Sequence, residues 1–158
     1  MSISPRKLRA VTRGEALSLL AGTSLGRIVF TEHAMPAVRP ASHLVEDGVI
    51  IVRSHDGSEV VPAGAGERIP GAGRVAGAGR VAGAGRETVI AYQADDIDIS
   101  TRLGWSVVVT GPATPVLDPA EVERYGVVLA PWTKAGAGQL IRVYPGIVTG
   151  YRLIDQAG

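Results

Sequence analysis

The sequence predicts a mostly-β protein, a small antiparallel barrel with one helix near its start and one late. Short Val- and Ile-rich segments recur between tight-turn residues, as in small closed sheets. The regular alternation of strand and helix that a parallel sheet needs is missing. The 158 residues, 46% hydrophobic and 20% charged, suffice for one domain over residues 1–158 with a conventional core.

Thr12-Arg13-Gly14-Glu15 matches a capping box, with Leu17, Leu19 and Leu20 on the helix it opens and Gly22 placed to end it. Leu25 to Thr31 then reads as a strand. Met35 to Leu44 is extended but carries Pro36 and Pro40, which suits an edge or ligand-facing strand. Asp47-Gly48 is a hairpin turn leading into a strand at Val49 to Ser54. Glu87 to Gln93 and Trp105 to Gly111 are further strands. Asp118-Pro119 caps a second helix through Glu121, Val122, Tyr125 and Val128. Gln139 to Tyr144 and Ile147 to Leu153, bent apart by Pro145-Gly146, complete the set.

Composition excludes several functions. Without Cys there is no disulfide framework, thiolate nucleophile or iron–sulfur cluster. Apolar runs such as Val49–Val52 are strand-sized, far from the roughly 20 residues of a membrane helix. The basic start, MSISPRKLRAV, has no apolar signal core, so a soluble cytoplasmic protein is expected. The net charge of +1 is uneven: residues 62–86 hold four arginines against one glutamate, leaving the rest of the chain at −2. A mildly acidic body does not suit nucleic acid.

Within that segment, Pro70 to Arg86 repeats PGAGRV, AGAGRV, AGAGRE. Gly71 to Ala76 and Gly77 to Ala82 match the dinucleotide fingerprint G-x-G-x-x-A, but Ile69-Pro70 rather than a strand precedes them. Six-residue units without large apolar side chains cannot form a β-helix core, and no aromatics are present to stack on RNA bases. Residues 62–86 read as a flexible low-complexity insertion between two strands.

Catalytic signatures are sparse. His33, His43 and His55 are too far apart for a helical metal pair, and no G-x-S-x-G elbow occurs. Asp95, Asp96 and Asp98 suit a capped turn better than a metal site, so no metal is expected. Three segments hold polar groups on strands: Arg39-Pro40 in an otherwise apolar run, Val52 to Ser58 with hydroxyls and turn amides as an anion nest, and Gly104-Trp105-Ser106. Aromatics make up only 4%, so Trp105 and Trp132 require a specific explanation.

GRIVF at 26–30, MPAVRPASH at 35–43, VRSH at 52–55 and GWSVVVTG at 104–111 together resemble the pyridoxamine 5'-phosphate oxidase-like family, in its actinobacterial-type branch. Ala130-Pro131-Trp132, Ile141-Arg142-Val143 and Val148-Thr149-Gly150 extend the resemblance from about Thr12 to Leu153, the insertion excepted. It implies a six-stranded antiparallel Greek-key split barrel with two or three short helices. It also implies a homodimer holding flavin mononucleotide (FMN) at each of two subunit junctions. Arg39, Pro40 and Ala41 would lie along the flavin ring, Ser54 and His55 near the ring and ribityl chain, and Ser58 at the phosphate. Trp105 would stand near the pocket entrance, Thr149 and Gly150 would come from the neighbouring subunit, and Arg142 would position the last strands.

One departure concerns the phosphate. Where the family carries a basic residue after the Gly-Ser turn, this chain has Glu59 and Val60, and its lysines are Lys7 and Lys134. Either Arg53 or an arginine of the insertion compensates, or flavin binds weakly. The expected function is a flavin-dependent oxidoreductase acting on a small molecule, with no catalytic side chain assigned. The alternative is a non-catalytic module for flavin, deazaflavin or haem with a degenerate phosphate site.

Overall fold

The structure, a computed structural model, describes residues 4–57, 59–62, 88–134 and 138–156. Ser58 and, apart from Pro62, the expected insertion lie outside the described residues. The elements in chain order are β1 (Lys7–Ala10), α1 (Arg13–Ala21), β2 (Leu25–Glu32), β3 (Met35–Glu46) and β4 (Val49–Ser54). They continue with β5 (Thr88–Asp98), β6 (Leu103–Pro115), α2 (Pro119–Val128), β7 (Leu140–Val143) and β8 (Ile147–Ile154).

The strands pair in the order β1-β8-β6-β5-β2-β3-β4-β7, and an added β6–β7 pairing closes six of them into a barrel. Every pairing is antiparallel. β8 and β1 extend the sheet outside the closure. The barrel is thus split along β6, whose edge pairs with β8 from Gly104 to Thr110 and with β7 from Ala113 to Pro115. Gly111 sits at the changeover, where a Cβ would run into the Tyr144 carbonyl. Tyr144 N–H donates to Pro112 O at 2.9 Å and Gly146 N–H to Thr110 O at 3.0 Å, so both strands turn tightly there.

β6 alternates as a half-buried strand should, with Trp105, Val107 and Val109 inward and Ser106, Val108 and Thr110 outward. The inward set joins Ile28, Phe30, Ile50, Val52, Ile90 and Tyr92 in the main core, and α1 adds Ala16 and Leu20. A second cluster lies on the outer side of β4 and β7, where Tyr125 and Leu129 at the α2 end cover Ile51 and Leu140. Arg142 of β7 pairs with Glu121 of α2, which ties the helix to the strand beneath it.

Both helix starts are capped by the expected residues: Thr12 Oγ1 accepts from Glu15 N–H at 3.2 Å and Asp118 Oδ2 from Glu121 N–H at 3.0 Å. The return half of the α1 capping box is replaced. The Glu15 carboxylate accepts from Arg9 at 2.8 Å and Arg152 at 3.0 Å, and the two guanidiniums hold it below the usual carboxylate pKa. The two prolines of β3 lie where the edge reading requires. β2 pairs with β3 from Met35 to Ser42, whereas β4 joins only from Ala41 onward, so Pro36 and Pro40 need no N–H on the open side.

Candidate functional site

Strand alternation distributes the proposed flavin residues over two faces of β3 and β4. Ala41 is opposite Ser54 in the ladder, and both are fully buried on the barrel side. Arg39 shares that side of β3 and lies over the Phe30 ring at 5.6 Å. Its Nε contacts Asp56 Oδ2 at 2.6 Å and its Nη2 contacts Glu32 Oε2 at 3.2 Å. The most prominent cation of the candidate site is therefore matched by two carboxylates.

On the outer face, Ser42 and His55 meet at 2.8 Å between Oγ and Nε2. The Trp132 N–H donates to His55 Nδ1 at 3.4 Å, which leaves the proton on Nε2 for donation to Ser42. The Trp132 ring stacks on the imidazole with centroids 3.8 Å apart and planes 10° from parallel. Burial, with the neighbouring Arg53 charge, lowers the His55 pKa, against a smaller opposing effect of Asp56. His55 is a fixed, neutral ring at pH 7.

The end of β4 is held by Gln139, which the sequence reading did not single out. Its N–H donates to Ser54 Oγ at 3.1 Å. Its side-chain Oε1 accepts from Val60 N–H at 3.0 Å and Val61 N–H at 2.9 Å, and Nε2 donates to Val61 O at 2.7 Å. One amide thus fixes the chain just after the candidate phosphate turn. The preceding residue, Gly138, lies against the Ser54 carbonyl where a Cβ would not fit. Arg53 is buried on the outer side beside Gly126 of α2 and donates Nη1 to Gly138 O at 3.1 Å. Its Nε has no hydrogen-bond partner, and burial lowers its pKa.

Thr149 and Gly150 lie elsewhere. On β8 they pair with Val108 and Val107, and with Ser106 and Tyr151 they line an open cleft of about 240 Å³. Leu8 and Ala10 of β1, a strand the sequence reading omitted, supply an apolar wall together with Val108. Trp105 is on the opposite, inward face of β6, 7% exposed within the main core. Arg39, Pro40, Ala41, Ser54 and His55 are therefore gathered in one region and Thr149 and Gly150 in another. Within one subunit the two groups remain apart.

Two other polar groups resolve structurally. His43 donates Nε2–H to Leu20 O at 2.8 Å and accepts the Tyr92 hydroxyl on Nδ1, which pins the end of α1 to β3 and β5. Burial pushes the His43 pKa down and that of Tyr92 up. Asp98 caps its own turn, accepting from Ser100 N–H at 2.7 Å and Thr101 N–H at 3.0 Å. Among the described residues no group of three His, Cys, Asp or Glu is arranged to hold a metal, and no helix is long and apolar enough to cross a membrane.

A family model described as pyridoxamine 5'-phosphate oxidase matches residues 12–72 and 70–150. The chain belongs to this family. The two matched segments of this family member meet inside the Gly/Ala/Arg repeat. An uncharacterized protein of Mycobacterium tuberculosis is 42% identical over 151 residues, covering 96% of this chain and 89% of the relative. Among solved structures, a Corynebacterium glutamicum protein assigned as a pyridoxamine 5'-phosphate oxidase superposes with a TM-score of 0.64 at 22% identity. That match covers 92% of this chain and 98% of the other. A protein of Mycobacterium smegmatis described as binding FAD superposes with a TM-score of 0.56 at 23% identity, with the same coverage. At such identities the structures establish the split-barrel fold.

Proposed function

We propose that this family member binds a flavin nucleotide between two copies of itself and acts as an oxidoreductase on a small molecule. The observation that carries the reading is the cleft at Thr149 and Gly150. It is open, largely apolar, and bears the hydroxyls of Ser106 and Thr149, a lining suited to a planar ring with a few polar edge atoms. The Arg39 to His55 group is on other strands, so a site using both sets takes one from each subunit of a two-fold dimer.

The donor set fits the ring better than the phosphate. Arg39 is matched by Glu32 and Asp56, and among the described residues the buried Arg53 keeps one donor, Nε, without a partner. In this arrangement Thr149 and Gly150 hold the FMN moiety at its ring, and the end of β4 at His55 faces the ribityl chain and phosphate from the other subunit. A bound flavin supplies reversible hydride acceptance, and the protein supplies orientation and shields the site from water. A non-catalytic binding module is the competing reading, favoured by the carboxylates around Arg39.

The decisive experiment combines spectroscopy with sedimentation of the full chain. The expected result is a dimer at micromolar concentration whose absorbance shows the two flavin bands, bleached by a reductant and restored by oxygen. A Soret band would assign haem in place of flavin. A monomer that quenches neither FMN, FAD nor riboflavin fluorescence would overturn the reading. A flavin-loaded dimer that turns over no tested donor would support the module.

A further inference from the structure

The segment Ala130–Lys134 follows the C-cap of α2 and is exposed throughout. Leu129, just before it, is buried in the second core cluster, and its N–H donates to Tyr125 O at 2.7 Å. Among the described residues, the hydrogen bond and the ring contact that tie the exposed segment to the body both end on His55. Trp132 N–H donates to Nδ1, and the indole lies flat on an imidazole that is only 8% exposed. A single titratable side chain is thus the attachment point.

We propose that the His55–Trp132 contact is an acid-sensitive latch, closed while the imidazole is neutral and released when it is protonated. The neutral ring uses both nitrogens, Nε2–H donating to Ser42 Oγ at 2.8 Å and Nδ1 accepting from Trp132 N–H. A further proton can be added only at Nδ1, where it meets the Trp132 N–H donor head-on. The hydrogen bond then becomes a repulsion, and the backbone at Trp132 must move.

The charges around the ring favour the same outcome. Buried Arg53 of β4 opposes a second cation, and Asp56 of the following turn favours one but is itself paired with Arg39. Ser42 of β3 and Trp132 beyond α2, the other partners, carry no charge. The indole face attracts an imidazolium, but at an exposed site that gain is small beside two opposed donors and a buried cation. Burial and Arg53 hold the His55 pKa below its ordinary 6.5, whereas a released imidazole titrates near that value. The closed form therefore binds the proton less readily, and release grows as pH falls below about 6.5. Leu129 stays anchored, so the movement begins at Ala130 and uncovers the His55–Ser42 edge at the end of β4. The latch needs no ligand and does not depend on the flavin reading.

The test follows acrylamide quenching of tryptophan emission from the full chain between about pH 7.5 and about pH 5.5, with circular dichroism as the check on folding. Trp105 is packed in the core, and Trp132→Phe supplies its emission alone. In wild type the quenching constant should rise about twofold on acidification, with a midpoint below 6.5. In His55→Gln, whose amide takes up no proton, it should not vary with pH. By linkage, Trp132→Ala should raise the His55 pKa toward 6.5, read from the imidazole proton resonances. A constant that ignores pH in wild type, the same rise in His55→Gln, or a rise that coincides with lost circular dichroism would overturn the latch. So would a His55 pKa that is unchanged or lowered in Trp132→Ala.

Discussion

Arg39 and Asp56 form a 2.6 Å ion pair across the mouth of β3, from a strand residue to the turn that follows β4. Both partners are about one-third exposed, so the pair contributes within about 1 kcal/mol to stability. Its larger consequence is electrostatic: it withholds a guanidinium from an anionic ligand. Asp56→Asn should therefore tighten FMN several-fold while shifting the melting temperature little. Fluorescence titration at low and high salt checks this, because the gain should shrink as salt screens the released charge.

Glu59→Lys should act at the same turn by supplying the cation that the family carries there. FMN affinity is expected to rise roughly tenfold and riboflavin, which lacks the phosphate, far less. Equal changes for the two ligands would mean that the phosphate lies elsewhere.

Buried His43 makes stability pH-dependent. Its folded pKa lies below the ordinary value of 6.5, so the unfolded chain binds the proton more readily. The stabilisation is complete above about pH 6.5 and is lost as pH falls through the folded pKa. His55, also lowered, adds to the same slope. His43→Gln should cost about 1–3 kcal/mol at pH 7 through its lost contacts, yet show a shallower loss of melting temperature between pH 7 and 5.

Gly111→Ala should destabilise the barrel by about 1–3 kcal/mol, since the added methyl meets the Tyr144 carbonyl at the point where β6 exchanges partners. Val108→Ala, a neighbouring change on the outer face, should cost less. Denaturant midpoints compare the two.

Much of the fold was written locally. Thr12 and Asp118 announce their helices because a cap is a contact within one turn. Asp47-Gly48 announces its hairpin because both residues must take positive φ, as they do at 52° and 73°. Where the local signal was absent, the sequence was silent. His33 and Ala34 make an equally tight turn at φ values of 49° and 62° without a glycine, held by the β2–β3 ladder on either side. β1 is exposed along its whole length and has no apolar period, and it is a strand only because β8 offers it an edge.

The order of motifs along the chain identified the family and the barrel by itself, because each strand carries its own alternation and each turn its own chemistry. The sequence could not assign side chains to faces across strands. Trp105 and Trp132 looked alike as rare aromatics, yet one is packed in the core and the other stacks on His55 with a face open. Arg39 read as a polar residue in an apolar strand, and only the fold brings Asp56 and Glu32 to it. Such pairings depend on register between strands far apart in the chain, and only closure of the barrel fixes that register.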